Sequence, residues 1–342
     1  MENHSKTVAS TIGLHALGLR AAVTRPALYV GIVLCALVLA FGYKLRTESI
    51  FACPASGYGS DDYLGYCQTT GYGDYDHGAF WFGLEPEAEY AAANADVLFL
   101  GNSRMQFAFS TEATTGWFSS IAARYYLLGF SYGENSQFEA PLLEKLNTQA
   151  RAYVINVDRF FDEERMTSPA DAIQHRSTEA LSNYEEKRLW QRLHKKICTS
   201  LPSVCGHEIA FFRSRATGAW QLRGTEDFKA AAIAEATPDA EDRAHWERYA
   251  ATGEQFVAHL RVDRRCVVLT LSPWGATKLA EARAIADALK LELIAPDVPG
   301  LRTLDGDHLD RVSAEKWSAA FFEAAGPRIR KCLLTGQAAA HP

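Results

Sequence analysis

Positive charge is in short supply in this chain. Its 35 Lys and Arg residues face 41 Asp and Glu, a formal net charge of -6. Surfaces that grip polyphosphate backbones concentrate Lys and Arg, so no nucleic-acid partner is expected. No G-x-G-x-x-G and no G-x-x-x-x-G-K-[ST] follows any apolar run, which argues against a nucleotide-binding sheet. There is no C-x-x-C and no His at zinc-finger spacing, so no metal site is expected. Internal repeats are absent. A mean hydropathy of -0.15 is too polar for a polytopic membrane protein. The apolar fraction of 48% and charged fraction of 22% exclude a disordered, collagen-like or coiled-coil chain.

One long hydrophobic run is present. Ala27–Tyr43, ALYVGIVLCALVLAFGY, carries no charge and is just long enough to cross a bilayer. Lys6, Arg20 and Arg25 precede it. Lys44 and Arg46 follow and are soon offset by Glu48, Asp61 and Asp62. That asymmetry predicts an N-in orientation. A cleaved signal peptide fits less well, because the segment before the run is long and no A-x-A-like site closes it. A buried core helix is the other alternative. The expected organisation is a cytosolic tail at 1–26, an uncleaved signal anchor at 27–43, and a periplasmic domain held to the inner membrane by one span.

Cysteine usage points the same way. Cys35 lies in the apolar run, and six of the seven cysteines lie beyond it. Cys53/Cys67 and Cys198/Cys205 are close pairs and Cys266/Cys332 is a plausible third, as expected of disulfides in an oxidising compartment.

Residues 44–94, rich in Gly and Tyr, read as an irregular extracytoplasmic linker. From residue 95 the pattern alternates between short apolar runs and amphipathic helices. The runs Asp96–Gly101, Tyr125–Gly129, Tyr153–Val157, Cys266–Leu271 and Leu291–Ile294 read as five buried parallel strands. Helices are expected at 276–290 and 312–325. The α/β class with a parallel five-stranded sheet follows. Residues 160–265 break the rhythm and read as a charged helical insertion between the third and fourth strands. Its His175, His194, His245 and His259 share no ligand spacing. The domain is expected to span 95–330, with a tail at 331–342.

In an open parallel sheet, chemistry belongs beyond the carboxyl ends of the strands. Gly101-Asn102-Ser103-Arg104 follows the first run, Ser131–Asn135 the second, Asp158–Phe161 the third, and Asp305-Gly306-Asp307-His308 precedes the last helix. A serine at a strand-to-helix turn is exposed at the sheet edge but needs a base to become nucleophilic. His308 supplies one, and Asp305, three residues earlier, is placed to bond its Nδ1 and fix the tautomer. Ser103, His308 and Asp305 are therefore the candidate catalytic residues. No metal or organic cofactor is needed, because the acyl group rides on the serine.

These motifs resemble those of the SGNH/GDSL hydrolase superfamily. Gly101-Asn102-Ser103 is similar to its first block, G-D/N-S, and Asp305-Gly306-Asp307-His308 to its last, D-x-x-H. Ser131-Tyr132-Gly133-Glu134 resembles the second block, which supplies an oxyanion-hole glycine, here Gly133. The resemblance covers residues 95–160 and 262–326. It implies a flavodoxin-like three-layer fold and an oxyanion hole built from the Ser103 and Gly133 amides. The third block, G-x-N-D, is not reproduced: the chain has Asn156-Val157-Asp158-Arg159, with Asn156 inside the strand. Either Arg159 replaces the missing donor, or the hole uses Gly133 and Ser103 alone. Such departures resemble the divergent membrane-anchored branch that includes the alginate O-acetyltransferases. The implied activity is esterase or O-acyltransferase chemistry on acyl esters of envelope glycans, with a glycan or other hydroxyl-bearing acceptor and a membrane acyl-donor protein as partners. The competing expectation is a catalytically degenerate domain serving as a binding or scaffold subunit of an envelope complex.

Overall fold

The computed structural model describes residues 13–55, 59, 61–162, 166–225, 228–233 and 243–338. Residues 1–12 of the expected cytosolic tail and 339–342 of the expected C-terminal tail lie outside them. The chain opens with helix α1 (Gly13–Glu48). Within it, Pro26–Glu48 is long and apolar enough to cross a membrane, and none of its most apolar stretch is buried against the rest of the protein. That exposure disposes of the core-helix alternative. A short 3-10 turn at Ile50–Ala52 follows.

Strands β1 (Asp62–Cys67) and β2 (Gly73–Asp74) lead to helices α2 (Asp76–Trp81) and α3 (Pro86–Ala93). The alternating unit then begins: β3 (Val97–Asn102), α4 (Ser103–Phe109), α5 (Glu112–Ser120), β4 (Tyr125–Phe130), α6 (Ser136–Leu146) and β5 (Ala152–Asn156). Helices α7 (Ser168–His175) and α8 (Ser177–Ser200), strands β6 (Ala210–Ser214), β7 (Trp220–Arg223) and β8 (Ala231–Ala232), and helix α9 (Arg243–His259) come next. The chain closes with β9 (Val267–Thr270), α10 (Leu279–Leu289), β10 (Glu292–Leu293), β11 (Arg302–Thr303) and α11 (Arg311–Ala338).

The central sheet has five parallel strands in the order β10-β9-β5-β3-β4. Strands β3, β4, β5 and β9 are buried along their whole length. A strand covered on both faces has no use for polar residues, which is why each reads as an unbroken apolar run. Successive side chains alternate between two cores. Leu98, Leu100, Tyr126, Leu128, Tyr153 and Ile155 enter one, with Phe138, Ile285 and Leu289. Val97, Phe99, Tyr125, Leu127 and Val154 enter the other, where Phe109, Trp317, Phe321 and Phe322 pack on them.

Three expectations need correction. Residues 44–94 are not an irregular linker, and 160–265 is not purely helical. Strand β1 pairs antiparallel with β6, some 150 residues downstream, in a second sheet of order β2-β1-β6-β7. Pairing over that separation leaves no local periodicity to detect. The closing helix also runs to Ala338, well past the expected 325.

The small sheet docks on the outer edge of β4. An edge strand exposes unpaired amides and carbonyls, and here Leu127 N, Leu127 O and Gly129 O are met. Leu127 N donates to Thr217 O at 2.9 Å. Gln106 Nε2 donates to Leu127 O and Gly129 O, both at 2.9 Å. Arg213, wholly buried, donates to the same two carbonyls and pairs with the equally buried Asp76. Tyr63 donates to the other Asp76 oxygen at 2.5 Å.

Three disulfides, Cys53–Cys67, Cys198–Cys205 and Cys266–Cys332, leave Cys35 as the free thiol. Thiol titration of the denatured, unreduced protein should therefore find one reactive group, and seven after reduction. A count near seven before reduction would remove the oxidising-side placement of the domain.

Candidate active site

The sheet reverses its strand order between β3 and β5: the chain runs outward to β4, then returns across β3 to build β5, β9 and β10. A crevice opens at the carboxyl ends of the strands flanking such a reversal. Ser103 follows one of them and Asp158 the other.

The serine turn has a steric requirement at Gly101. Its φ is +146°, and a Cβ there would lie 3.0 Å from Asn156 Cβ and 3.2 Å from Met105 Cβ. Asn102 then caps α4, its Oδ1 accepting from Arg104 N at 3.0 Å. Ser103 is thereby the first residue of the helix, half-buried at the carboxyl end of the sheet.

Ser103 Oγ lies 2.8 Å from His308 Nε2, although 205 residues separate them. His308 Nδ1 lies 2.8 Å from Asp305 Oδ2. Asp305 Oδ1 accepts from Asp307 N at 3.0 Å and His308 N at 2.9 Å, so one carboxylate folds the turn and orients the ring. The turn is closed by Leu304 N donating to His308 O at 2.7 Å. Partial burial pushes the Asp305 carboxyl up, but the bonds from His308 and the two amides outweigh it and hold it at about 2. An ionised Asp305 keeps the Nδ1 proton in place and leaves Nε2 free to accept from the serine. The Phe107 ring packs on the imidazole, with centroids 4.4 Å apart.

Arg104 was not singled out from sequence, yet it braces the site. Its guanidinium pairs with Asp158, reaches Asp307 at 3.4 Å, and lies 3.7 Å over the Trp274 ring. Asn102 Nδ2 adds bonds to Asp158 O and Oδ2 at 3.1 and 3.2 Å. Residues after β3, β5 and β9 and the His308 turn are thus tied together. The available signal was position, since each of these residues follows a strand.

The expected oxyanion residues are less closely gathered. Gly133 sits at φ +71° in the loop after β4, with open space where a Cβ would stand. Asn156 is the last residue of β5 and wholly buried, and its Oδ1 accepts from Ser272 N at 3.0 Å. Arg159 points away to Asp162 at 3.3 Å with its side chain 64% exposed. Among the described contacts, neither Asn156 nor Arg159 reaches Ser103.

A second D-x-x-H occurs at Asp74–His77, with a different fate. His77 is fully buried, its Nδ1 3.0 Å from Asp74 Oδ1 and its Nε2 2.9 Å from Glu134 Oε2. Thr167 Oγ1 donates to the same Glu134 oxygen at 2.6 Å, and Tyr184 OH to Asp74 Oδ2 at 3.0 Å. Burial pushes the imidazole down, yet the two carboxylates overcome it and raise His77 to about 10, so both ring nitrogens donate. Glu134 adjoins Gly133, and Asn135 caps α6 through Gln137 N at 3.0 Å. The Gly133 loop is therefore clamped at its carboxyl side. Glu139, from α6, accepts from Gly101 N at 3.1 Å, and burial pushes its carboxyl well above the usual range.

The one His/Cys cluster of metal-binding size among the described residues is His194 with Cys198 and Cys205. Both sulfurs there are joined in a disulfide, so no thiolate is offered. No protein-family model matches this chain, and no match is found among curated proteins or solved structures.

The clamp makes a stability prediction. Replacing His77 with Leu strands two buried carboxylates and should cost about 3–5 kcal/mol at pH 7. Because folding raises the His77 pKa, its contribution is complete below the unfolded value near 6.5 and lost as pH climbs through about 10. Denaturant unfolding of both proteins should show the gap narrowing as pH rises from about 6.5 to about 10. A pH-independent gap would contradict a charged His77.

Proposed function

We propose that this protein is a serine esterase or O-acyltransferase of the SGNH type, anchored in the inner membrane and acting on acyl esters of envelope glycans. The observation that carries this reading is the chain of contacts from Ser103 Oγ through His308 to Asp305, 2.8 Å at each step. The 2-1-3-4-5 strand order, which is that of flavodoxin-like sheets, and the helices on both faces are in keeping with it. One apolar N-terminal helix and three disulfides fit a single-pass protein whose domain faces an oxidising compartment. The basic residues ahead of the span support the N-in, periplasmic assignment.

In this reading Ser103 Oγ attacks the ester carbonyl while His308 Nε2 takes its proton. The Ser103 and Gly133 amides hold the oxyanion. Collapse of the tetrahedral adduct expels the alcohol, which leaves with the proton from His308, and an acyl-serine remains. A second hydroxyl, from water or a sugar, then gives its proton to His308 and takes the acyl group, and His308 returns that proton to Ser103 Oγ as the acyl–serine bond breaks. We assign transfer ahead of hydrolysis, with a membrane acyl-donor protein as the source.

The alternative reading is a non-catalytic scaffold subunit. It draws on the position of Asn156 and Arg159, which leaves the oxyanion hole short of one donor, a loss of about 10²–10³ in turnover. The hydrogen-bonded serine and histidine favour the enzyme.

Ser103→Ala should abolish labelling by a fluorophosphonate probe with the circular dichroism unchanged, and labelling that persists in that variant would refute the assignment. Asp305→Asn should lower ester turnover by about 10⁴ through loss of the correct tautomer. Supplying an activated acyl ester with and without glycan acceptors partitions the two outcomes. If acceptors never yield acylated sugar and never alter acyl release, the enzyme is a hydrolase.

A further inference from the structure

We propose that the C-terminal half of α8 and the disulfide-closed loop after it form a second membrane contact, lying among the anionic headgroups of the bilayer that α1 crosses. The proposal rests on the reading of α1 as a span.

The exposed face of α8 changes character along its length. Its buried side is Ala180, Tyr184, Gln191, His194 and Cys198, at helical spacing. Opposite them, the first half shows solvent Ser182, Asn183, Glu185 and Glu186. The second half shows Leu189 (64% exposed), Trp190 (40%) and Leu193 (41%), followed in the loop by Leu201 (58%) and Val204 (42%). Among the described residues outside α1, these are five of the ten large apolar side chains left exposed; the others, such as Tyr90, Tyr132 and Val312, are scattered singly. A gathered patch of this kind marks an interaction surface, whereas single exposed residues do not.

The charge pattern changes at the same place. From Lys187 to His207 there is no Asp or Glu, while exposed Arg192 and Lys196 and half-buried Arg188 fall within it, in a chain of net charge -6; Lys187 and Lys195 bond inward to Asp74 O and Gly59 O. Apolar side chains with a Trp, interleaved with Lys and Arg, are what a headgroup region accommodates. The rings and aliphatic groups enter the interface and the cations reach phosphates.

Position selects the bilayer over a soluble partner. The patch is fixed to the residues that leave α1. His194 Nε2 lies 3.3 Å from Cys53 O, and the His194 and Phe51 rings stand 5.9 Å apart. Gly206 N donates to Phe51 O at 2.7 Å and Glu208 N to Ala52 O at 3.0 Å. The Cys198–Cys205 disulfide closes the loop carrying Leu201 and Val204. Residues 51–53 follow the end of α1 at Glu48 by only a few positions, and extended chain advances at most about 3.6 Å per residue. The end of α8 is therefore held within about 20 Å of the helix that leaves the membrane. Two contacts, one spanning and one lying flat, would fix the tilt of the domain.

The test uses full-length protein in vesicles of phosphatidylcholine and phosphatidylglycerol, with nitroxide labels read for collision with oxygen and with a nickel chelate. Leu193→Cys and Leu201→Cys carry the label in a Cys35→Ser background, and Leu334→Cys is the aqueous control. Wild-type protein labelled at Cys35 reports on the span. The expected result is an oxygen-to-nickel accessibility ratio at 193 and 201 several-fold above that at 334, and below that at Cys35. Labels at 193 and 201 as aqueous as 334, with Cys35 in the hydrocarbon, overturn the proposal and leave the span intact. Low collision with both agents at 193 and 201 overturns it in favour of a protein partner. An aqueous Cys35 overturns the span and this contact together.

Discussion

The outer edge of β4 is the constraint on which the rest of the domain depends. A parallel strand at the margin of a sheet must satisfy its outward amides and carbonyls without inviting another strand. Here the solution is a buried guanidinium. Arg213 reaches across from the small sheet to Leu127 O and Gly129 O, with Asp76 pairing it and Tyr63 bonding the other Asp76 oxygen. Burying two charges costs several kcal/mol each unless their bonding is saturated. That demand explains why segments as distant as 62–81 and 210–214 are built into one layer. The same layer supplies His77, whose bond to Glu134 holds the loop leaving β4. Sealing the edge and placing Gly133 are a single piece of construction.

The central sheet was readable because burial on both faces compresses each strand into an apolar run, and β3, β4, β5 and β9 all lie within a residue or two of their expected bounds. Ser103, Asp305 and His308 were readable because position after a strand and three-residue spacing are local properties. Their meeting at hydrogen-bond distance depends on sheet order and on the two turns that present them. The small sheet was not readable. Strand β1, DYLGYC, mixes Tyr, Gly and Asp in a way that suggests loop, and its pairing with β6 is decided by partners some 150 residues away. Arg213 has no local sign of its role, since an arginine in a strand normally faces solvent. Arg104 and Asp158 were visible in the right loops, but nothing in spacing shows that they pair.

Asp74–His77 and Asp305–His308 share a motif and differ in surroundings. The second histidine meets one carboxylate, keeps an open face toward Ser103, and is 20% exposed. The first meets carboxylates on both nitrogens and is sealed from water. A ring with both nitrogens committed has no lone pair to accept a proton. The same three-residue step therefore leaves a ring nitrogen facing a serine hydroxyl in one place and a fixed cation in the other, and the number of carboxylates decides which.

The 205-residue separation between Ser103 and His308 has a consequence for biosynthesis. The ribosome makes the serine turn early, together with the first strands of the sheet, and the histidine turn only near the end, just before α11. A chain interrupted anywhere between them holds the serine without its histidine partner. The Ser103–His308–Asp305 contacts cannot form until β9, β10 and the last turn have been added, so no shorter nascent fragment carries them.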